Sequence, residues 1–168
     1  PYYTVHDMVG IVVFFIIFFA VVFFFPEGGG FFIERPNFEA ANALKTPPHI
    51  APVWYYTPFY AILRAVPDKL GGVIAMGGAI AMLFLLPWLD RSPVKSIRYK
   101  GILSKIALGI FVVSFLVLGY LGVAPATPVN TILGRIFTIL YFLYFLLMPI
   151  YTSIETCKQP PERVTGGH

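Results

Sequence analysis

Charge is scarce in this chain. Aspartate, glutamate, lysine and arginine together make up 12% of its 168 residues, against roughly 25% in ordinary soluble domains. Hydrophobic residues reach 58%, so too little polar surface remains to solvate a globule. Cysteine is nearly missing as well: Cys157 stands alone, which excludes an internal disulfide and a thiolate metal cluster. The three histidines, His6, His49 and His168, all fall outside the long apolar runs. Those runs also lack ionisable residues, apart from Arg135 near one end. That absence argues against a transporter or channel subunit, which would carry such groups along a pathway.

What is present is a series of apolar runs long enough to cross a bilayer, for which about 20 residues suffice. The reading is all-α and polytopic, with four spans over about 8–25, 70–89, 106–124 and 130–154. Phenylalanine is spread along the first run without a stripe, as suits a helix in contact with lipid or protein all round. The second holds Gly71, Gly72, Gly77, Gly78, Ala79 and Ala81, small residues that let helix backbones approach closely. Pro149 is expected to kink the fourth, since it lacks a backbone donor and clashes one turn back.

The net charge of +4 is explained by orientation rather than by nucleic acid. Arg91, Lys95, Arg98, Lys100 and Lys105 lie between runs two and three, and Lys158 and Arg163 in the tail. Four spans put both termini and this basic loop on one side, which the positive-inside rule makes cytoplasmic. The basic loop also suits an anionic lipid headgroup. The chain opens at Pro1 with a short polar segment and no recognisable leader, and is expected to be a segment of a longer polypeptide.

The connection 26–69 then lies on the outer side and is too long for a passive link. Trp54, Tyr55, Tyr56, Phe59 and Tyr60 crowd one part of it, and 58–66 reads as a short amphipathic helix at the membrane interface. Function is expected to reside in this loop. An aromatic belt is the plain alternative, since Trp and Tyr are common at interfaces.

Three stretches carry a resemblance. The chain opens Pro1-Tyr2-Tyr3-Thr4-Val5-His6-Asp7, which resembles the PYYT-x-K-D segment of the cytochrome b family. The loop reads Thr46-Pro47-Pro48-His49-Ile50-Ala51-Pro52-Val53-Trp54-Tyr55, then Tyr56-Thr57-Pro58-Phe59-Tyr60-Ala61-Ile62-Leu63-Arg64. That run is similar to the family's TP-x-HI-x-PEWY-xx-PFYAILR. Pro87-Trp88-Leu89-Asp90-Arg91-Ser92-Pro93 resembles its PWLD-x-SP turn. The chain is thus similar to the C-terminal half of a cytochrome b. Four spans match the bacterial and mitochondrial type rather than the three-span split subunit of the chloroplast type, and the motif wording looks proteobacterial.

The resemblance implies a part of a quinol:cytochrome c oxidoreductase that binds quinol and quinone in the bacterial inner membrane and couples their chemistry to proton translocation. Two b-type haems are implied, ligated by histidines of an N-terminal half and not by this segment. Implied partners are that N-terminal half, a Rieske iron–sulfur protein, a c-type cytochrome, the lipid membrane and a second copy of the complex. The residues matching the quinol-oxidation site are Pro52, Val53, Trp54, Tyr55 and Tyr60. Those matching the quinone-reduction site are Tyr3, His6 and Asp7, and Lys69 matches the position where the iron–sulfur protein docks.

Two positions depart from the family pattern. His6 replaces a lysine, and histidine titrates closer to neutral pH, so proton delivery is expected to respond more to pH. Alternatively, His6 and Asp7 are a solvated helix start, with Asp7 favouring the helix dipole. Val53 replaces the glutamate widely assigned to taking a proton from quinol. Valine cannot titrate, and tyrosines relay protons but are poor bases near neutrality. His49 is no specific substitute, since relatives that keep the glutamate have a histidine there too. A water-mediated proton exit without a carboxylate at position 53 is the expectation. A structural or assembly subunit without a redox role remains the other reading, although it gives the aromatic loop no purpose.

Overall fold

Helices form directly from the apolar runs, and the breaks between them fall where proline and glycine stand. The computed structural model describes residues 1–47 and 50–162; His49, Arg163 and His168 lie outside the described residues. Among the described residues the secondary structure is entirely helical, without strands. The chain divides into two compact units, Pro1–Trp54 and Tyr55–His168.

In the first unit α1 (Tyr2–Phe24) starts six residues earlier than the apolar run suggests, with Pro1 at its N-cap. None of its residues is buried. Phenylalanines one turn apart stack along it, Phe14 on Phe18 at 6.1 Å, Phe15 on Phe19 at 5.7 Å and Phe19 on Phe23 at 6.0 Å, as i, i+4 geometry permits. Pro26 ends the helix by driving Phe25 out of the helical region (φ −145°, ψ 54°). Gly28, Gly29 and Gly30 follow at φ of 57°, 68° and 100°, a left-handed path that side chains resist. The chain turns back there, and the Glu27 carbonyl accepts from the amides of Gly30, Phe32 and Ile33. A 3-10 turn, Arg35–Phe38, begins with Pro36 in its first positions.

The second unit is a helical bundle. A 3-10 turn, Trp54–Tyr56, leads into α2 (Thr57–Ala65), then α3 (Lys69–Phe84), α4 (Leu86–Leu89), a 3-10 turn at Ile97–Tyr99, α5 (Ile102–Val123) and α6 (Pro128–Ile154). Its core is Ala61, Ile62, Ala79, Leu118, Leu121, Tyr141 and Phe145. Phe111 stacks on Tyr144 at 4.5 Å and meets Phe145 edge-on at 5.4 Å. The one polar atom of buried Tyr141 is satisfied, its hydroxyl donating to the Ala79 carbonyl at 2.8 Å.

The short helix expected at 58–66 is α2, and its buried face, Thr57, Pro58, Ala61, Ile62 and Ala65, packs against α3, α5 and α6. Close approach to α5 is possible because Gly122 lacks a side chain: a Cβ there would collide with the Thr57 carbonyl. Gly72 plays the same part in α3, where a Cβ would sit 2.7 Å from the Leu63 carbonyl oxygen. Of the expected packing residues, Gly72 and Ala79 are buried, whereas Gly77 and Ala81 are exposed.

Among the described residues three helices, α1, α5 and α6, have the length and apolarity to cross a membrane. The second expected span, 70–89, is divided. α3 has 16 residues, about 24 Å at 1.5 Å per residue, short of a hydrocarbon core of about 30 Å. It breaks at Leu85, and α4 resumes with Pro87 among its first residues, where a missing amide does no harm. Through Pro149, by contrast, α6 continues to Ile154. Beyond it the Thr152 hydroxyl donates to the Met148 carbonyl and the Ser153 hydroxyl to the Pro149 carbonyl at 2.6 Å.

Candidate functional site

At the end of the bundle where the aromatic run enters, two arginines tie helix ends together. The last carbonyls of a helix lack intrahelical donors and carry partial negative charge. Arg64, in the last turn of α2, donates from one nitrogen to the carbonyls of Leu121 (2.6 Å) and Ala124 (2.9 Å) at the end of α5. Arg135 of α6 donates through Nε to the carbonyl of Ala65, the last residue of α2. The Arg64 guanidinium also lies over the Tyr60 ring at 5.1 Å, within cation–π range. Tyr60 is half-buried and held in place by that stacking. Tyr56 donates its hydroxyl to Met76 Sδ at 3.4 Å. A cavity of about 30 Å³ beside Arg64, bordered by Asn130 and Thr131, is large enough for a water molecule.

Of the other residues expected at the quinol-oxidation site, Tyr55 is 62% and Trp54 54% exposed, so both rings offer apolar surface. Pro52 is half-buried. Val53 lines an open cavity of about 410 Å³ with Phe32, Ile33, Glu34, Pro36 and Asn37. The described residues that line it all belong to the first unit, and Glu34 is the titratable group among them. Lys69 is exposed at the first position of α3, next to Asp68, whose carboxylate caps that helix by accepting from the Gly71 amide at 2.8 Å.

The residues expected to reduce quinone sit on the opening turns of α1. Tyr2, Tyr3, His6 and Asp7 are all exposed. His6 Nδ1 is 2.8 Å from the Tyr2 carbonyl oxygen. A carbonyl only accepts, so Nδ1 bears the proton and Nε2 is left for exchange. The Tyr2 and His6 rings pack at 4.1 Å. Since α1 starts at Tyr2, Asp7 stands beyond the first turn, where the helix dipole has largely faded.

Sequence reasoning missed a second set of caps at the opposite end of α5. Gly101 precedes α5 and has no side chain to cap it. Glu155, just past α6, supplies the acceptor: its carboxylate takes the Ser104 amide at 3.0 Å and the Ser104 hydroxyl at 2.6 Å. Asp90 pairs with Lys100 and accepts from the Ser92 amide at 3.0 Å, which fixes the basic loop. Cys157 Sγ lies 3.4 Å from Ser92 Oγ. No local signal marks the Glu155–Ser104 and Cys157–Ser92 contacts, since each joins residues distant in sequence.

A haem would need axial histidines from facing helices. None of the three histidines falls on α3, α5 or α6, and His6 is engaged at the start of α1.

A family model described as "Cytochrome b(C-terminal)/b6/petD" matches residues 40–142. Cytochrome b of Allochromatium vinosum is 62% identical over 170 residues, covering 99% of this chain and 41% of that protein. Cytochrome b of Rhodospirillum rubrum is 47% identical, covering 99% and 40%. The chain therefore spans about two fifths of the length of these curated relatives. A solved structure described as "Hyperthermophilic respiratory Complex III" superposes with a TM-score of 0.82 at 41% identity, covering 92% of this chain and 38% of that one.

Proposed function

The chain belongs to the cytochrome b family, as its C-terminal domain and an integral membrane protein, and from that premise we propose that it shapes the quinone pockets of a respiratory quinol:cytochrome c oxidoreductase. Quinol gives up two electrons and two protons at the outer side. One electron passes to a Rieske iron–sulfur protein and a c-type cytochrome, the other inward to reduce quinone near the inner side. The b-type haems, held by the N-terminal half, supply the path across the membrane when bound.

This chain's part is to bind, orient and exchange protons. Pro52, Val53, Trp54 and Tyr55 offer a largely apolar surface to the quinol ring. Tyr60, clamped by Arg64, offers a hydroxyl. At the inner side Tyr3, His6 Nε2 and Asp7 bond quinone oxygens and deliver protons, by general acid–base logic. Lys69 meets the iron–sulfur protein. Four crossings, with α3 and α4 together making the second, place both termini in the cytoplasm and the 26–69 loop outside, in a bacterial inner membrane. The complex works as a dimer.

The observation that carries the reading is the clamp on α2: Arg64 and Arg135 fix, through helix ends, the segment that directly follows Pro52–Tyr55. The test is quinol-dependent reduction of a c-type cytochrome by the purified assembly, with its haem difference spectrum. Two b-type haems and steady reduction are expected; an assembly with neither would overturn the proposal.

A further inference from the structure

Position 53 poses a chemical problem that the fold itself addresses. Oxidising a quinol hydroxyl requires that its proton go somewhere, and valine offers no base. Downstream of the glycine turn at Gly28–Gly30, Glu34 shares one cavity of about 410 Å³ with Val53. This volume holds many water molecules, since one occupies about 30 Å³ in the liquid.

Glu34 is also uncommitted. It occupies the N-cap position of the 3-10 turn Arg35–Phe38, yet its side chain makes no capping hydrogen bond. Only its backbone carbonyl is used there, accepting from the Asn37 amide at 3.0 Å. Among the described residues the single ion pair is Lys100 with Asp90, so neighbouring Arg35 does not neutralise it. The other described residues on the cavity wall, Phe32, Ile33, Pro36, Asn37 and Val53, carry no charge. The other charged groups of that turn are Arg35 and Glu39, both exposed, and Glu27 precedes the glycines.

We propose that Glu34 is the proton acceptor for quinol oxidation in this chain, reached through water in the cavity it shares with Val53. This rests on the reading of the loop as the quinol-oxidising site. In the step, a quinol O–H bond breaks and an O–H bond forms on the Glu34 carboxylate, by way of intervening water. The electron from that hydroxyl leaves on the inward branch, and the carboxyl then releases its proton to the outer water. The second proton and electron leave on the iron–sulfur branch.

The test compares Glu34→Gln, Glu34→Asp and the double variant Glu34→Gln/Val53→Glu in the whole complex, by quinol turnover against pH. General acid–base groups contribute about 10²–10⁴-fold, and Glu34→Gln is expected to lose at least about tenfold in kcat, with KM for quinol and haem content unchanged. Its acid-side fall in rate should disappear. Glu34→Asp should keep most of the rate, and moving the acid to position 53 in the double variant should restore it. A Glu34→Gln complex as fast as the parent overturns the proposal, as does a slow one that Val53→Glu leaves equally slow or that Glu34→Asp matches. A parent complex that does not oxidise quinol overturns the underlying reading instead.

Discussion

Val53 and His6 are the two residues where chemistry departs from the family pattern, and each makes a prediction of its own. With an acceptor already in the cavity, Val53→Glu alone should leave quinol turnover little changed; a large gain would show that a carboxylate at position 53 is what this enzyme lacks. At the inner side, Asp7 projects from the second turn of α1, near His6, whose Nδ1–H is spent on the Tyr2 carbonyl. Asp7→Asn should slow reoxidation of the b-type haems by quinone while leaving their reduction by quinol intact. Flash-induced absorbance changes separate the two, and an unaltered reoxidation rate would remove Asp7 from proton delivery.

Among the elements, α2 is the one whose position matters most, and its supports are specific. Replacing Arg64 by Leu removes two charge-assisted bonds to the end of α5, and bonds to charged groups contribute roughly 1.5–3 kcal/mol each. The thermal unfolding midpoint of the complex in detergent should fall, together with quinol turnover, because Tyr60 loses its clamp. Gly122→Ala should act through geometry alone, pushing α2 from α5 at an overpacking cost of about 1–3 kcal/mol; a midpoint equal to the parent's would mean the two helices have room to spare. The helices themselves could be read from the apolar runs, and α2 from its aromatic, amphipathic pattern. Their ends were less legible. α5 begins at Ile102 because Glu155, distant in sequence, caps it, and no local pattern announces that. Pro87 was visible, but uninterrupted apolarity across 70–89 outweighed it, so one long span was expected where α3 and α4 stand. The place of Glu34 beside Val53 was not legible, since the two stand far apart in the sequence.

For the whole molecule, the question is whether α3 and α4 together make a crossing beside the three described helices of spanning length. Labelling of single cysteines in a Cys157→Ser background decides it. Ser96→Cys in the basic loop should react only from the cytoplasmic side, and Ala126→Cys, between α5 and α6, and Ala43→Cys, in the connection 26–69, only from the outside; reaction of Ser96→Cys and Ala43→Cys from the same side would leave three crossings. Reaction of Ala126→Cys from the cytoplasm would invert the proposed orientation. The central claim, that this chain lines quinone pockets, is tested most directly by photoaffinity labelling of the assembled complex with a photoreactive quinone, followed by peptide mapping. Label competed by excess quinone should fall on 52–60 and 2–7. Competed label confined to other segments, with none on these two, would contradict the account.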